Sequence, residues 1–161
     1  MKNKRILVPL DLVRGSPAAL VFVQNLAMEN PLCVTLLHVV DVNIAPIRPG
    51  VYDELCAEAE AALRKLAALF FGADQAVRVA VRIGKVSDEI VAEAKVCAAD
   101  MIVLCGPNPR KRFRLFRHST TRHVLSRGPC PTVVLPNSGK VALHVFRPQR
   151  MTPETHERCA A

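Results

Sequence analysis

Residues 105–125, CGPNPRKRFRLFRHSTTRHVL, hold the groups of this chain that are best suited to binding an anion. Gly106 follows an apolar run, where a glycine lets backbone N–H groups approach a ligand closely. A helix start is indicated by three hydroxyl residues: Ser119, Thr120 and Thr121. The free N–H groups and positive dipole end of such a helix favour phosphate. The loop between these features carries three neighbouring basic residues: Arg110, Lys111 and Arg112.

Two acidic residues also follow apolar runs. Asp11 comes after RILVPL, and Asp41 closes LLHVVD together with Val39. In open α/β sheets, ligands bind beyond the carboxyl ends of the strands. There a carboxylate can accept hydrogen bonds from ribose hydroxyls, and strand-end backbone groups can bind an adenine edge. Plain structural roles stay open for both acids: a helix-approach cap for Asp11 and a solvated loop acid, the role that we favour, for Asp41.

The elements that must position these residues alternate along the chain. Apolar runs predict five strands, at residues 5–10, 32–40, 76–83, 101–105 and 131–136. Helical spacing or a helix start predicts the intervening helices, at residues 17–30, 51–71, 87–99 and from about residue 119. Ser16 is expected to cap the first helix, with Pro17 in its first position, and Ser87 to cap the third. This alternation predicts an α/β domain with a parallel sheet and right-handed crossovers.

Charge is distributed unevenly over the 161 residues, a length suited to one domain. The net charge is +8, and no Asp or Glu occurs between Asp100 and Glu154. That interval carries the basic excess, in residues 110, 111, 112, 114, 117, 122, 127, 140, 147 and 150. Such a surface attracts phosphates, nucleic acid or an acidic protein, although a solvated face is the plainest interpretation.

The remaining chemistry-bearing residues predict neither a metal site nor catalysis. Six cysteines, at positions 33, 56, 97, 105, 130 and 159, form no C-x-x-C pair. We expect them to be small buried hydrophobes in a reducing compartment. His118 and His123 have no Cys or acid near them in sequence, and no Ser/His/Asp or Cys/His arrangement can be placed. We therefore expect no enzyme; the absence of a signal-peptide pattern or membrane-span length predicts a cytoplasmic protein.

Four blocks of the sequence together resemble the universal stress protein family: KRILVPLD, LLHVVD, RIGKVSDEIVAEAKVCAADMIVLCG and HSTTRHVLSRGPCPTVVLP. The resemblance covers residues 4–136. It implies an open five-stranded parallel sheet of order 3-2-1-4-5 flanked by helices, an adenine nucleotide alpha hydrolase-like fold. It also implies a homodimer formed by pairing of the last strand, Thr132–Leu135. We expect a domain at residues 1–137 and a tail at 138–161 that either adds a strand or stays mobile.

The ATP-binding branch of that family has a glycine, two residues, a second glycine, nine residues, and a third glycine before Ser or Thr. Here the spacing is kept, but Pro109 takes the second position and Ser119 the third. By resemblance, the adenosine side involves four residues: Pro9, Asp11, Val39 and Gly106. The phosphate side involves positions 109, 119, 120 and 121. The adenosine half is therefore expected to be intact and the phosphate half altered.

Pro109 carries the physical cost of this change. It has no N–H and fixes φ near −65°. One lost backbone hydrogen bond to a charged phosphate costs about 1.5–3 kcal/mol. Arginine side chains of the basic loop can offset that loss, because they bind phosphate well. The sequence thus predicts weakened or altered phosphate binding, with AMP or ADP favoured over ATP and the need for Mg²⁺ left open.

Two functions remain open. The first is a cytoplasmic stress-response protein that binds an adenine nucleotide (ATP, ADP or AMP) without significant turnover. The alternative is a homodimeric interaction protein of the same family that binds no nucleotide and docks an acidic protein on its basic surface. Nucleic-acid binding has only the charge in its favour and no accompanying motif, so it is not expected.

Overall fold

The computed structural model describes residues 3–13, 17–42, 50–72, 75–106 and 120–136, and the backbone of 144–146. The strands are β1 (Lys4–Pro9), β2 (Leu32–Asp41), β3 (Val77–Gly84), β4 (Met101–Cys105), β5 (Thr132–Leu135) and β6 (His144–Phe146). The helices are α1 (Ala18–Glu29), α2 (Val51–Phe71), α3 (Val86–Val96) and α4 (Thr120–Arg127).

The strands form one sheet in the order β3-β2-β1-β4-β5-β6. The first five are parallel, which confirms the predicted fold class and strand order. The sixth strand is antiparallel to β5 and pairs Thr132 with Phe146 and Val134 with His144. The edge of β5 on which we expected a second copy to pair is therefore occupied by the chain's own residues.

The sheet is buried on both faces, which explains why its strands have continuous apolar sequences. Successive residues of β1 point to opposite faces, so Ile6 and Val8 join one core cluster and Leu7 joins the other. The first cluster includes residues of α1 and α2, among them Leu63, and the second includes residues of α3 and α4, among them Val124. The helices thus lie in two layers, one on each face of the sheet.

Both predicted helix caps differ from the structure. Pro17 occupies the N-cap position of α1, one residue before the helix, and Ser16 lies outside the described residues. Helix α3 begins at Val86 with Lys85 at its cap, so Ser87 is a buried residue of the first turn. The helix starts early because Gly84, with φ of +155°, lets the chain turn directly at the end of β3.

The cysteines are less buried than we predicted. Among the described residues Cys130 is buried, whereas four others are half-buried: Cys33, Cys56, Cys97 and Cys105. Cys159 lies outside the described residues. Burial raises the pKa of the Cys130 thiol to about 11, because the apolar surroundings disfavour the thiolate. Burial raises the pKa of Cys56 and Cys97 as well.

Candidate functional site

The ends of β1, β2 and β4 bring three predicted site residues to one level of the sheet. Strand β1 ends at Pro9, which pairs with Leu37 of β2. Continuing that register by two residues places Asp11 level with Val39. The register between β1 and β4, continued in the same way, places Gly106 at this level on the other side of Asp11. An acid, a strand-end backbone and a glycine therefore lie side by side across the carboxyl edge.

Asp11 is exposed, and its carboxylate is held by the local backbone. Its Oδ1 accepts a hydrogen bond from the Val13 N–H at 3.0 Å, which is the geometry of an Asx turn. The cap position of α1 belongs to Pro17, several residues later, so Asp11 is not the cap of that helix. The turn fixes the carboxylate directly beyond the end of β1.

Val39 offers its backbone rather than its side chain. The side chain is 8% exposed and packs in the core cluster of α3 and α4. The Leu10 N–H donates to the Leu37 carbonyl at 2.8 Å, so the backbone of Leu37 faces β1. Alternate residues of a strand direct their backbone groups to the same side. The N–H and C=O of Val39 therefore point past the end of β1, towards the position of Asp11.

Two neighbours on β2 complete this rim. His38 Nδ1 lies 2.9 Å from the Leu10 carbonyl oxygen, and because a carbonyl only accepts, Nδ1 is the donor. This bond fixes the exit of β1 and gives His38 a packed, hydrogen-bonded role. Asp41, which we interpreted as a loop acid, is instead the half-buried last residue of β2 and pairs with Gly84.

A glycine at position 106 is favoured because a side chain would fit tightly there, and not because the backbone has a positive φ. The positive φ values among the described glycines belong to Gly50, Gly72 and Gly84. A Cβ on Gly106 would lie 3.2 Å from Val134 Cγ1 and 3.4 Å from the Leu135 carbonyl oxygen, a tight fit. The Gly106 N–H donates to that carbonyl at 2.6 Å. The close approach of β5, rather than a positive φ, is therefore what favours glycine at this position.

The phosphate side is described in part. Thr120 and Thr121 are the first two residues of α4, whose first-turn N–H groups have no partner within the helix. Val124, 0% exposed, anchors this helix on the core. Outside the described residues lie Pro109, Ser119 and the three basic residues of the loop, Arg110, Lys111 and Arg112. The structure therefore describes the four residues expected on the adenosine side and two of those expected on the phosphate side.

Sequence reasoning missed a buried ionic cluster that ties α3 to the edge strand β3. The Glu93 side chain is 1% exposed; its Oε2 accepts from Arg82 Nε at 2.6 Å. Its Oε1 lies 3.0 Å from Arg78 Nη2 but has no hydrogen bond. The bond to Glu93, with a second to Glu89, raises the pKa of the Arg82 guanidinium. The sequence signals are two arginines four residues apart, and so on the same face of a strand, and an acid three residues after Ile90 in an apolar helix.

Sequence reasoning also missed the partner of His123. Its Nε2 lies 2.8 Å from Asp88 Oδ1 of α3, and Lys85 Nζ lies 3.4 Å from the other oxygen of Asp88. The acid is distant in sequence, and the crossover between β4 and β5 brings it next to α4. In the described part of the chain, no group of three or more His, Cys, Asp or Glu residues could hold a metal ion. No helix there is both long and apolar enough to span a membrane.

These features define an α/β protein with an open parallel sheet of the adenine nucleotide alpha hydrolase-like type. The sequence profile described as "Universal stress protein family" matches residues 2–136. The chain therefore belongs to the universal stress protein family, as the four sequence blocks indicated. No curated protein sequence matches it significantly.

Solved structures agree with the family assignment. The universal stress protein UspA from Lactobacillus plantarum is 27% identical, with a TM-score of 0.64 over 83% of this chain and 98% of that chain. A universal stress protein from Archaeoglobus fulgidus in complex with dAMP is 20% identical, with a TM-score of 0.52 over 83% and 98%. A universal stress protein in complex with cAMP is 15% identical, with a TM-score of 0.59 over 86% and 100%. The last two likenesses concern the fold.

Proposed function

We propose that this chain is a cytoplasmic stress-response protein that binds an adenine nucleotide at the carboxyl edge of β1, β2 and β4. The observation that carries the proposal is the alignment of Asp11, the Val39 backbone and Gly106 at one level of the sheet. Two relatives of the same fold form complexes with cAMP and dAMP, which supports a nucleotide as the ligand.

The adenosine side assigns one role to each group. The N–H and C=O of Val39 pair with the edge of the adenine ring, because they face the space beyond β1. The Asp11 carboxylate accepts hydrogen bonds from the ribose hydroxyls. Pro9 and Gly106 flank it, and Gly106 lets the ligand approach the backbone without a side chain between them.

The phosphate side uses the N-terminus of α4. The backbone N–H groups and hydroxyls of Ser119, Thr120 and Thr121 donate to the phosphate oxygens, and the helix dipole favours the negative charge. The basic side chains Arg110, Lys111 and Arg112 replace the N–H that Pro109 lacks. Because that replacement is partial, AMP and ADP are favoured over ATP.

We propose binding without significant catalysis. Hydrolysis of a phosphate ester needs a base and, usually, a carboxylate that holds Mg²⁺ near the phosphates. The chain has no acid between Asp100 and Glu154, which includes the whole expected phosphate loop. Asp11 is committed to its Asx turn at the ribose end.

Calorimetric titration with adenosine, AMP, ADP and ATP, each with and without Mg²⁺, tests this function. We expect AMP and ADP to bind more tightly than adenosine, since α4 contributes to phosphate binding, and ATP to gain nothing further. Asp11→Asn keeps the acceptor of the Asx turn but removes the charge, so it should lower the affinity for all four ligands about tenfold or more. Glu58→Gln, an equal charge change on the exposed side of α2, should leave binding unaltered. Equal losses in both variants would refute the role of Asp11.

The alternative of a homodimeric interaction protein meets an obstacle at β5. Its expected dimer strand, Thr132–Leu135, is paired with β6 of the same chain. A dimer through β5 would require β6 to leave that edge. We therefore propose a homodimer only in a form in which β6 has left the edge of β5 and the β5 strand of a second copy takes its place. Light scattering would detect this dimer as twice the monomer mass.

A further inference from the structure

A groove separates α3 from α4 on one layer of the fold. It has a volume of about 460 Å³, is open to solvent, and is lined by Asp88, Val91, Lys95, His123 and Arg127. The three α3 residues are three and four positions apart and the two α4 residues four apart, so each helix presents a single stripe to the groove.

The two ends of the groove differ in charge. At the start of α3, Asp88 is bound by His123 across the groove and by Lys85, the cap residue of α3. Lys95 and Arg127 lie in the last turns of α3 and α4. Within the described residues neither of these two cations forms an ion pair. Because both helices are crossovers of the same parallel sheet, they run in the same direction, and their last turns lie together.

This pattern fits an occupant that is acidic at one end. Between Asp88 and Lys95 the α3 stripe is about 10 Å long at 1.5 Å per residue. About three residues of extended peptide span that distance at 3.3 Å each. Val91, mostly buried, forms an apolar floor. Asp88 at one end is already paired with Lys85 and His123, so a negative group is attracted chiefly to Lys95 and Arg127 at the other end.

We propose that the α3–α4 groove docks a short acidic peptide segment of a partner protein, with carboxylates on Lys95 and Arg127. A short peptide fits better than a nucleic acid because, within the described residues, only one end of the groove carries unpaired cations, which matches a local pair of carboxylates rather than a continuous phosphate backbone. The net charge of +8 steers such a partner towards the chain. Lys95 and Arg127 lie near the helix C-termini, at the amino edge of the sheet and away from the proposed nucleotide site, so the docking proposal does not depend on that site.

Fluorescence anisotropy of the full-length protein, without nucleotide, tests the groove. The probe is a labelled peptide of about eight residues with two glutamates at one end and leucine and other uncharged residues in the rest, long enough to span the groove with margin. We expect saturable binding that a glutamine version of the peptide does not show. Absence of binding at about 1 mM protein would overturn the proposal. That limit corresponds to a binding free energy of about −4 kcal/mol.

Two charge-matched double variants locate the binding. The double variant Lys95→Gln with Arg127→Gln should weaken binding of the peptide about tenfold, because two ion pairs at the rim of the groove are lost. Lys4→Gln with Lys65→Gln removes the same charge from exposed positions elsewhere and should weaken it less than about twofold. Equal losses would show a net-charge effect and overturn the proposal. A labelled oligothymidylate that binds more tightly than the peptide, with the same dependence on Lys95 and Arg127, would also overturn it. Unchanged unfolding temperatures confirm that both variants are folded.

Discussion

Replacing Glu93 by glutamine removes the charge from a carboxylate that is 1% exposed and holds two arginines of the edge strand. Helix α3 and β3 are joined through this group, since Arg82 donates to one of its oxygens at 2.6 Å and Arg78 lies 3.0 Å from the other. In Glu93→Gln the amide nitrogen must face one of two guanidinium groups, so one of the two ion-pair contacts is replaced by a donor–donor contact.

The size of the effect follows from the exposure of the partners. Breaking a buried ion pair costs about 3–5 kcal/mol when the remaining charge is left without solvent. Here Arg82 and Arg78 are 28% and 53% exposed, and Arg82 keeps Glu89 at 3.3 Å. Both arginines can therefore be rehydrated in part. We expect a loss of about 2–3 kcal/mol in the free energy of unfolding, which corresponds to about 4–12 °C in Tm for a chain of this size.

Urea denaturation and thermal unfolding measure this loss. The matched control is Glu60→Gln, which breaks a 2.6 Å pair with Arg64 on the exposed face of α2. Exposed pairs at this spacing contribute about 0.3–0.5 kcal/mol, so the control should shift Tm by 2 °C or less, on the order of a tenth of the Glu93 effect. If the two variants lost the same stability, or if Glu93→Gln were more stable than the parent, the role given to the buried cluster would be wrong.

Three further substitutions test the packing and protonation of the core. Gly128→Ala would place a Cβ 2.6 Å from the Val124 carbonyl oxygen, so the end of α4 must shift, and urea denaturation should show a loss of about 1–3 kcal/mol. Gly106→Ala meets atoms at 3.2 and 3.4 Å, so it should cost about 1 kcal/mol or less in stability while weakening AMP in calorimetry about tenfold. If the variant lost stability but kept its affinity for AMP, the proposed close approach of the nucleotide to Gly106 would be contradicted. The pKa of the Cys130 thiol is about 11 against an ordinary 9.0, so the folded state favours the neutral thiol. Its contribution is complete below pH 9 and is lost between pH 9 and 11 at about 1.4 kcal/mol per pH unit, a slope that Cys130→Ala should remove from denaturation curves.

The parallel sheet could be predicted because buried strands leave a continuous apolar signature. RILVPL and MIVLC are apolar on both faces, and the helices between them carry apolar stripes. Strand β6 has three residues, and its pairing with β5 is a tertiary contact that no local pattern records. The early start of α3 depends on Gly84, whose φ is set by the turn that follows β3.

Part of the candidate site could likewise be predicted from the sequence, and part of it could not. Asp11, Val39 and Gly106 follow three apolar runs, and parallel registers bring the carboxyl ends of such runs together. The Asp88–His123 pair joins residues on two different crossovers, so their spacing in sequence gives no sign of it. Glu93 lies among the apolar residues of α3, where an acid indicates a buried partner, but the identity of that partner depends on how α3 packs on β3.

Backbone amide chemical shifts of the isotope-labelled full-length protein, titrated with AMP, test the central claim most directly. The account predicts saturable shifts at Val39, Gly106, Thr120 and Thr121, with the amides of the α3–α4 groove unmoved. Saturation at 100 times the Kd would also stabilise the fold by about 2.7 kcal/mol. Unchanged shifts at millimolar AMP, or shifts confined to another surface, would contradict nucleotide binding at the carboxyl edge of the sheet.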